Sequence, residues 1–345
     1  MDLGSKNIHL VCGHYKNGSL EVKQSLSQST PEGVIKDGKI EDINTLKGTI
    51  KNMLTANKVK GKNTVLTIQS TSIITRDLIL PTVKMSELEN MVKFEIEQYL
   101  PIVTSEYVIE YTFMEEVVED NIKKSKIQVA AMPKNMVENY LNLLKEVGLK
   151  PTALDVHSNT VVKIFSNPMT INRDSYTLDK TLAFIDLGYM SINIHIISKG
   201  KLVFSRIITL GAKELDTEIS TSCNLTLGQA EEKKIKDANL ELKDYEQSPN
   251  ESFNDLIRTK LDVWMSEIQK VFQYYISRGT GNRIESIYIY GGSSKIKGLS
   301  RYIEHSLNIK TSKIENLSII KESNNLIDFN QSDYINALGG LIRYE

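Results

Sequence analysis

Phe184-Ile185-Asp186-Leu187-Gly188 opens the most constraining pattern in the chain, and a shorter version stands at the start as Asp2-Leu3-Gly4-Ser5. In the later copy, Leu182 to Ile185 is an apolar run that reads as a strand, ended by the Asp186–Gly188 turn. Ile192 to Ile197 follows as a second strand, Lys199-Gly200 as a turn, and Leu202 to Leu210 as the return strand. In the early copy, Ile8 to Cys12 is a strand, Asn17-Gly18 a two-residue hairpin turn, and Leu20 to Val22 the partner strand. A glycine in such a turn lets the backbone approach a ligand and take a positive φ. Successive backbone N–H groups there form a concave site for an anion such as phosphate. A carboxylate at a strand end can hold Mg²⁺, directly or through water. One Asp-Leu-Gly is an ordinary way to end a strand. Two, each opening one half of the chain, imply two facing turns that clamp a metal–polyphosphate, with Asp2 and Asp186 flanking the metal. The copies are unequal, because only Met1 precedes Asp2 and the apolar lead-in strand has no counterpart. The expectation is a natural start several residues upstream, or a truncated protein.

With 345 residues the chain is long enough for two domains or one large α/β unit. It is 40% hydrophobic and 25% charged, with 42 basic against 43 acidic residues. A net charge of −1 gives no electrostatic case for nucleic acid or for direct adhesion to an anionic membrane. Cys12 and Cys223 are too few for a disulfide framework or a zinc site, and the five histidines show no ligand spacing. These features fit a reducing cytoplasm. No apolar run approaches the roughly 20 residues of a membrane span, and no signal peptide is visible.

In chain order, Ser25–Asp42 reads as polar loop, Ile43–Leu54 as a helix and Val65–Ile68 as a strand. Residues 71–149 form a β-α-β-β-α module: a strand Arg76–Pro81, a helix opened by a Ser86/Glu89 capping box, strands Tyr107–Met114 and Lys126–Met132, and a helix ended at Gly148. The acidic run Glu115–Asp120 reads as the loop between the two strands. Asp155 stands where a helix begins, either to cap it or to polarise a water beside phosphate. Asn167–Lys180 reads as a linker and Glu241–Asp255 as a charged loop. Ile257, Leu261, Trp264, Met265, Ile268, Val271, Phe272 and Tyr275 form a core stripe on one long helix. Glu231 and Lys234, three apart, share a helix face. They either bond a ribose or pair with each other. Strand Ile287–Tyr290 runs into Gly291-Gly292-Ser293-Ser294 and then a helix, whose N-terminus would bring donors and the positive dipole end to a nucleotide. Gly339 and Gly340 in the last helix allow close approach of another helix or a ligand.

This arrangement resembles the actin, sugar-kinase and heat-shock-chaperone ATPase superfamily, with phosphate hairpins at Asp2–Val11 and Asp186–Ile196 and the adenosine element at Ile287–Ser294. Within it the chain is similar to the PilM family of type IV pilus assembly proteins, related to the FtsA family. Leu80-Pro81, Phe94-Glu95-Ile96-Glu97-Gln98-Tyr99-Leu100-Pro101, Ala130-Ala131, Val147-Gly148-Leu149 and Asp155-Val156 carry that resemblance. It departs in lacking the strand before Asp2, in His9 where a hairpin lysine is usual, and in Ala212 after Thr209-Leu210-Gly211.

The resemblance implies an α/β actin-like fold of two ribonuclease-H-like halves around a nucleotide cleft. Subdomain 1A would comprise residues 1–70, 150–166 and 330–345, and an inserted α+β subdomain 1C residues 71–149. A crossover linker would span 167–180, subdomain 2A 181–211 with 285–329, and subdomain 2B 212–284. It further implies ATP with Mg²⁺, metal carboxylates Asp2 and Asp186, and phosphate and nucleoside contacts from Gly4, Ser5, Gly188, Gly211, Glu231, Lys234, Gly291, Gly292, Ser293 and Gly339. Asp155 is the catalytic candidate, with at most weak ATPase activity. The implied function is a cytoplasmic adaptor at the inner face of the cytoplasmic membrane. It would bind the tail of a PilN-like membrane protein in a groove between 1A and 1C, and self-association is open. An FtsA-like filament protein and a small-molecule kinase remain alternatives. A chain ending at Arg343-Tyr344-Glu345 lacks the basic membrane helix of the first, and no acceptor-side base is evident for the second.

Overall fold

The structure is a computed structural model that describes residues 1–83, 85–99, 102–119, 121–241, 251–323, 326 and 329–343, the side chains of residues 85, 86, 99 and 119 excepted. The Ser86 half of the capping box, Leu100-Pro101 and Asp120 therefore lie outside it, as do residues 242–250 of the charged loop.

β1 (Asp2–Leu3), β2 (Asn7–Lys16) and β3 (Ser19–Ser29) open the chain. The β2–β3 turn places Asn17 at φ +50° and Gly18 at φ +74°, which is the backbone a two-residue hairpin requires. β3 runs on through Lys23–Ser29, pairing Ser29 with Asn7. The first part of the expected Ser25–Asp42 loop is thus strand. Its polar Ser/Gln sequence hides the period, because neither face there faces a large apolar core. β4 (Ile35–Lys36) and β5 (Lys39–Ile40) turn at Asp37-Gly38, again with both φ positive. α1 (Ile43–Ala56) is capped by Asp42, which accepts the Thr45 N–H at 3.0 Å. β6 (Asn63–Ile68) follows.

The inserted module has the expected β-α-β-β-α order: β7 (Ile74–Pro81), α2 (Met85–Tyr99), β8 (Tyr107–Glu119), β9 (Ile122–Pro133) and α3 (Lys134–Glu146). Its sheet runs β7-β9-β8, all antiparallel. The acidic run is not loop as far as Glu119. It extends β8, where Glu115 and Glu116 pair with Lys126 and Ser125 beyond a bulge at Phe113. Opposite charges across the strands replace the apolar pattern that marks a strand.

β10 (Lys150–Val156) and α4 (His157–Phe165) come next. The expected linker holds a small hairpin, β11 (Met169–Ile171) and β12 (Asp174–Tyr176), turned at Asn172 with φ +56°. β13 (Thr181–Leu187), β14 (Ile192–Ser198) and β15 (Lys201–Ile208) form the second copy of the opening pattern. β13 is buried along nearly its whole length, because neighbours cover both of its faces. α5 (Ala212–Cys223), α6 (Leu227–Asp237) and α7 (Glu251–Ser277) follow. The charged residues Glu251–Asp255 are the first turn and a half of α7, not loop. They pair within the helix, as in Arg258 with Glu251 and Asp255 at 2.5 and 2.7 Å. The α7 stripe from Ile257 to Tyr275 is core, with Leu261, Trp264 and Ile268 almost wholly buried. β16 (Ser286–Tyr290) ends in a one-turn 3-10 helix at Gly292–Lys295, and α8 (Leu299–Leu307) begins only after Gly298. β17 (Thr311–Lys313), β18 (Ile320–Glu322) and α9 (Gln331–Leu341) complete the chain.

Two compact units result. The first is Met1–Ser29, Val65–Thr67 and Asp155–Glu345, and the second is Thr30–Thr64 with Ile68–Leu154. Residues 30–64, expected in subdomain 1A, thus group with the inserted module. Within the first unit, β1 lies between antiparallel β2 and parallel Thr67 of β6, and β2 pairs with β3. The second sheet repeats that order, with β13 between antiparallel β14 and parallel β16, and β14 paired with β15. In the second unit, Tyr140 of α3 donates to the Gly38 carbonyl at 2.5 Å, and Leu143 is wholly buried.

Candidate functional site

The two Asp-Leu-Gly turns share one pairing register. Asp2 pairs with His9 and Asp186 with Asn193. The Gly4 N–H donates to the Asn7 carbonyl and the Gly188 N–H to the Ser191 carbonyl, each at 3.1 Å. An added Cβ on either glycine would sit 2.8 Å from that same carbonyl. Both glycines are therefore fixed by closure of their own turn, and their N–H groups are used inside it. Ser5 stands in the tip of the first turn.

The two carboxylates converge on one side chain. His157, the first residue of α4, places Nε2 2.8 Å from Asp2 Oδ1 and Nδ1 3.9 Å from Asp186 Oδ2. All three side chains are about nine-tenths buried or more. Thr67 Oγ1 donates to Asp2 Oδ1 at 2.9 Å, and Asn336 Nδ2 of α9 donates to Asp186 Oδ2 at 3.0 Å. Burial by itself would raise the Asp2 carboxyl, but the His157 charge and hydrogen bond outweigh it and hold Asp2 below its ordinary value. Burial would likewise lower the His157 imidazole, but Asp2, then Asp186 and Asp155, hold it above its ordinary value. The two directions agree on an Asp2–His157 ion pair. Asp186 is pushed up to about 6 by burial, which His157 and Asn336 only partly offset.

β16 brings Gly291 against this trio. Its φ is +85°, and an added Cβ would overlap Asp186 Oδ1. Gly292 faces open space, and the buried Ser293 Oγ has no hydrogen-bond partner among the described residues. The helix dipole expected here is not supplied at this point, since one 3-10 turn intervenes before Gly298 and α8.

The remaining candidates resolve differently. Gly211 gives its N–H to Glu214 Oε2 at 2.7 Å and lies so close to the Tyr189 and Gly188 carbonyls that a Cβ would not fit. Ala212 then donates to Gly188 O at 3.0 Å. Glu231 and Lys234 do not pair with each other. Lys234 Nζ is buried 2.6 Å from Asp216 Oδ1, whereas Glu231 Oε2 lies 2.7 Å from Lys6 Nζ in the first tip. Gly339 is packed against the Thr160 carbonyl of α4, so its close approach is to a helix. Asp155 lies within β10, one residue before its end, rather than starting α4, whose N-cap is Val156. Its Oδ1 accepts from the Val156 N–H and Asn159 Nδ2 at 2.9 and 2.7 Å, and its Oδ2 meets Lys163 Nζ at 2.5 Å. A carboxylate so fully bonded is positioned to set the entry of α4.

Sequence reasoning missed His157, Thr67, Asn336 and Lys6. Only the position of His157 at a strand-to-helix junction, two residues after Asp155, marked it. Among the described residues, no three His, Cys, Asp or Glu side chains are placed to hold a metal by themselves. Mg²⁺ is ordinarily held by one or two carboxylates with waters and substrate phosphates, and Asp2 with Asp186 fits that role. His157 Nδ1 and Ser293 Oγ, both buried without a hydrogen-bond partner among the described residues, are the kind of orphaned polar atoms that a ligand satisfies.

Among solved structures, the chain is similar to a PilM–PilN type IV pilus biogenesis complex at TM-score 0.81 and 22% identity, covering 99% of this chain and 96% of that one. It is also similar to the ethanolamine utilization protein EutJ from Carboxydothermus hydrogenoformans, at TM-score 0.59 and 14% identity over 99% and 87% of the chains. A third is MreB5 of Spiroplasma citri bound to AMPPNP, at TM-score 0.50 and 14% identity over 91% and 78%. These likenesses show the fold, which is the actin-like ATPase fold. A family model described as type IV pilus assembly protein PilM matches residues 1–343. Twin carboxylate turns in one register, on the fold shared with those proteins and under a family match that spans nearly every residue, place this chain in the type IV pilus assembly protein PilM family.

Proposed function

We propose that this protein is a nucleotide-binding adaptor of type IV pilus assembly, or of a related secretion system. It takes ATP with Mg²⁺ between its two hairpin tips and docks the cytoplasmic tail of a PilN-like inner-membrane protein. The observation that carries the nucleotide half is the convergence of Asp2 and Asp186 on His157. Asp2 and Asp186 would flank the cation, which when bound neutralises phosphate charge. Ser5 and the tips would face phosphate, and Gly291, Gly292 and Ser293 the nucleoside side. Asp155 positions α4, and with it His157. No general base stands free among these residues, which favours holding ATP over turning it over.

The partner half rests on family membership and on the inserted module. Ile79, Phe94, Val103, Phe113, Val118 and Ile122 leave apolar side chains exposed there, a feature of docking surfaces. The tail would lie in the groove where subdomain 1C meets the 30–64 part of subdomain 1A, within the second compact unit. Among the described residues no helix is long and apolar enough to cross a membrane, so such a partner would supply the attachment to the inner face of the cytoplasmic membrane.

The direct test is calorimetric titration of MgATP into the full chain. Asp186→Ala is expected to abolish binding with helix content unchanged, and retained affinity would remove the assigned role.

A further inference from the structure

The two hairpin tips meet on a cation. Lys6, in the turn between β1 and β2, places Nζ 5.0 Å from the centroid of the Tyr189 ring, in the turn between β13 and β14. The same Nζ lies 2.7 Å from Glu231 Oε2 on α6, with the two side chains 36% and 29% exposed. The ion pair therefore ties the first tip to α6 across the face of the second tip, and both partners remain accessible to solvent. Solvated pairs of this kind exchange partners readily. Of residues 4–7 and 188–191, which make the two tips, Lys6 alone is charged. The nearby His9 does not substitute for it, being held edge-on to the Tyr334 ring at 5.1 Å. Burial also keeps its imidazole below the ordinary value. Asp2 and Asp186 stand behind the tips and would repel an incoming polyphosphate. Lys6 is the group placed to offset them on the entry side.

We propose that Lys6 is the exchangeable cation of the site. It holds Glu231 as seen here, and it transfers to the terminal phosphates of a nucleoside triphosphate, releasing the Glu231 carboxylate to accept hydrogen bonds from the nucleoside hydroxyls. This rests on the nucleotide reading above. The Tyr189 ring is the surface along which the ammonium moves, stabilised on it by the ring quadrupole. Lys234, fixed in the buried pair with Asp216, takes no part in the exchange. The two ends of the ligand are thereby coupled: phosphate on Lys6 frees the group that reads the sugar.

The test is calorimetric titration of the full chain with MgATP, with magnesium tripolyphosphate and with adenosine, for the parent and for Lys6→Met, Lys6→Arg and Glu231→Gln. Lys6→Met is expected to weaken MgATP and tripolyphosphate about tenfold or more, the scale of a charge-assisted hydrogen bond, and to tighten adenosine, because Glu231 is no longer held. Lys6→Arg should restore tripolyphosphate binding. Glu231→Gln should tighten tripolyphosphate, because the competing carboxylate is gone, while weakening adenosine. Unchanged tripolyphosphate affinity in either Lys6→Met or Glu231→Gln overturns the exchange while leaving the nucleotide reading intact. A parent protein that binds neither ATP nor tripolyphosphate overturns the nucleotide reading itself, and the exchange with it. Melting temperatures of the variants identify any loss due to misfolding, and the accessible Lys6 and Glu231 are replaceable without disturbing the core.

Discussion

At the residue scale, His157 decides how the site behaves, because it ties both Asp turns to the start of one helix. Gly291 matters for a different reason. Its φ of +85° and its contact with Asp186 leave room for no side chain. Gly291→Ala is expected to destabilise the fold by about 1–3 kcal/mol and to displace Asp186, measured as a lower denaturation midpoint together with weakened MgATP binding. His195 gives a pH prediction. It is wholly buried in β14, its Nδ1 lies 3.0 Å from Ser205 Oγ and its Nε2 has no hydrogen-bond partner among the described residues. Burial lowers its pKa from 6.5 to about 3. The fold keeps it neutral while the unfolded chain binds a proton below 6.5, so its contribution is complete above 6.5 and is lost as pH falls toward 3. His195→Gln should flatten the fall in denaturation midpoint between pH 6.5 and 4.5 relative to the parent; an unchanged slope would refute this account. Neither His157 nor His195 was legible in the sequence as anything but a scattered histidine. His157 lies 155 positions from its partner Asp2, and no local spacing encodes such a meeting.

At the scale of elements, what could be read depended on whether a segment carries its own signal. Asn17-Gly18 and Lys199-Gly200 fix their hairpins, since each places two residues at positive φ. The α7 stripe is periodic along the part that packs. The tail of β3, the hairpin within 167–180 and the acidic end of β8 carried no such signal, because cross-strand partners rather than an apolar face hold them. The C-terminal helix shows how packing assigns a residue type. Gly339 of α9 is packed against the Thr160 carbonyl of α4, and a Cβ added to Gly340 would lie 3.0 Å from the Thr67 side chain. Gly339→Ala should push α9 from α4 and cost about 1–3 kcal/mol by overpacking, read by chemical denaturation. Because α4 starts with His157 and α9 carries Asn336, the same change should weaken MgATP binding.

At the scale of the molecule, the two compact units are proposed to divide the labour. All residues of the proposed nucleotide site fall in the first unit, and the module with exposed apolar side chains falls in the second. Binding to the native state stabilises it by mass action, about 2.7 kcal/mol at a hundredfold excess over Kd. Hydrogen exchange should therefore show MgATP protecting residues 2–9, 186–193 and 290–294. A PilN-like tail peptide should instead protect segments within 30–64 and 68–149. Protection of one common set of amides by both ligands would contradict this division.

The chain's own order of residues determined the pair of acid-tipped turns, their hairpins and the long core helix, since each is specified by neighbours a few positions apart. The folded molecule alone decided that one imidazole lies between the carboxylates, that Lys234 is committed to Asp216, and that Lys6 reaches Glu231. Those contacts join segments far apart in the chain, and burial and charge select them only once the sheets have closed around them.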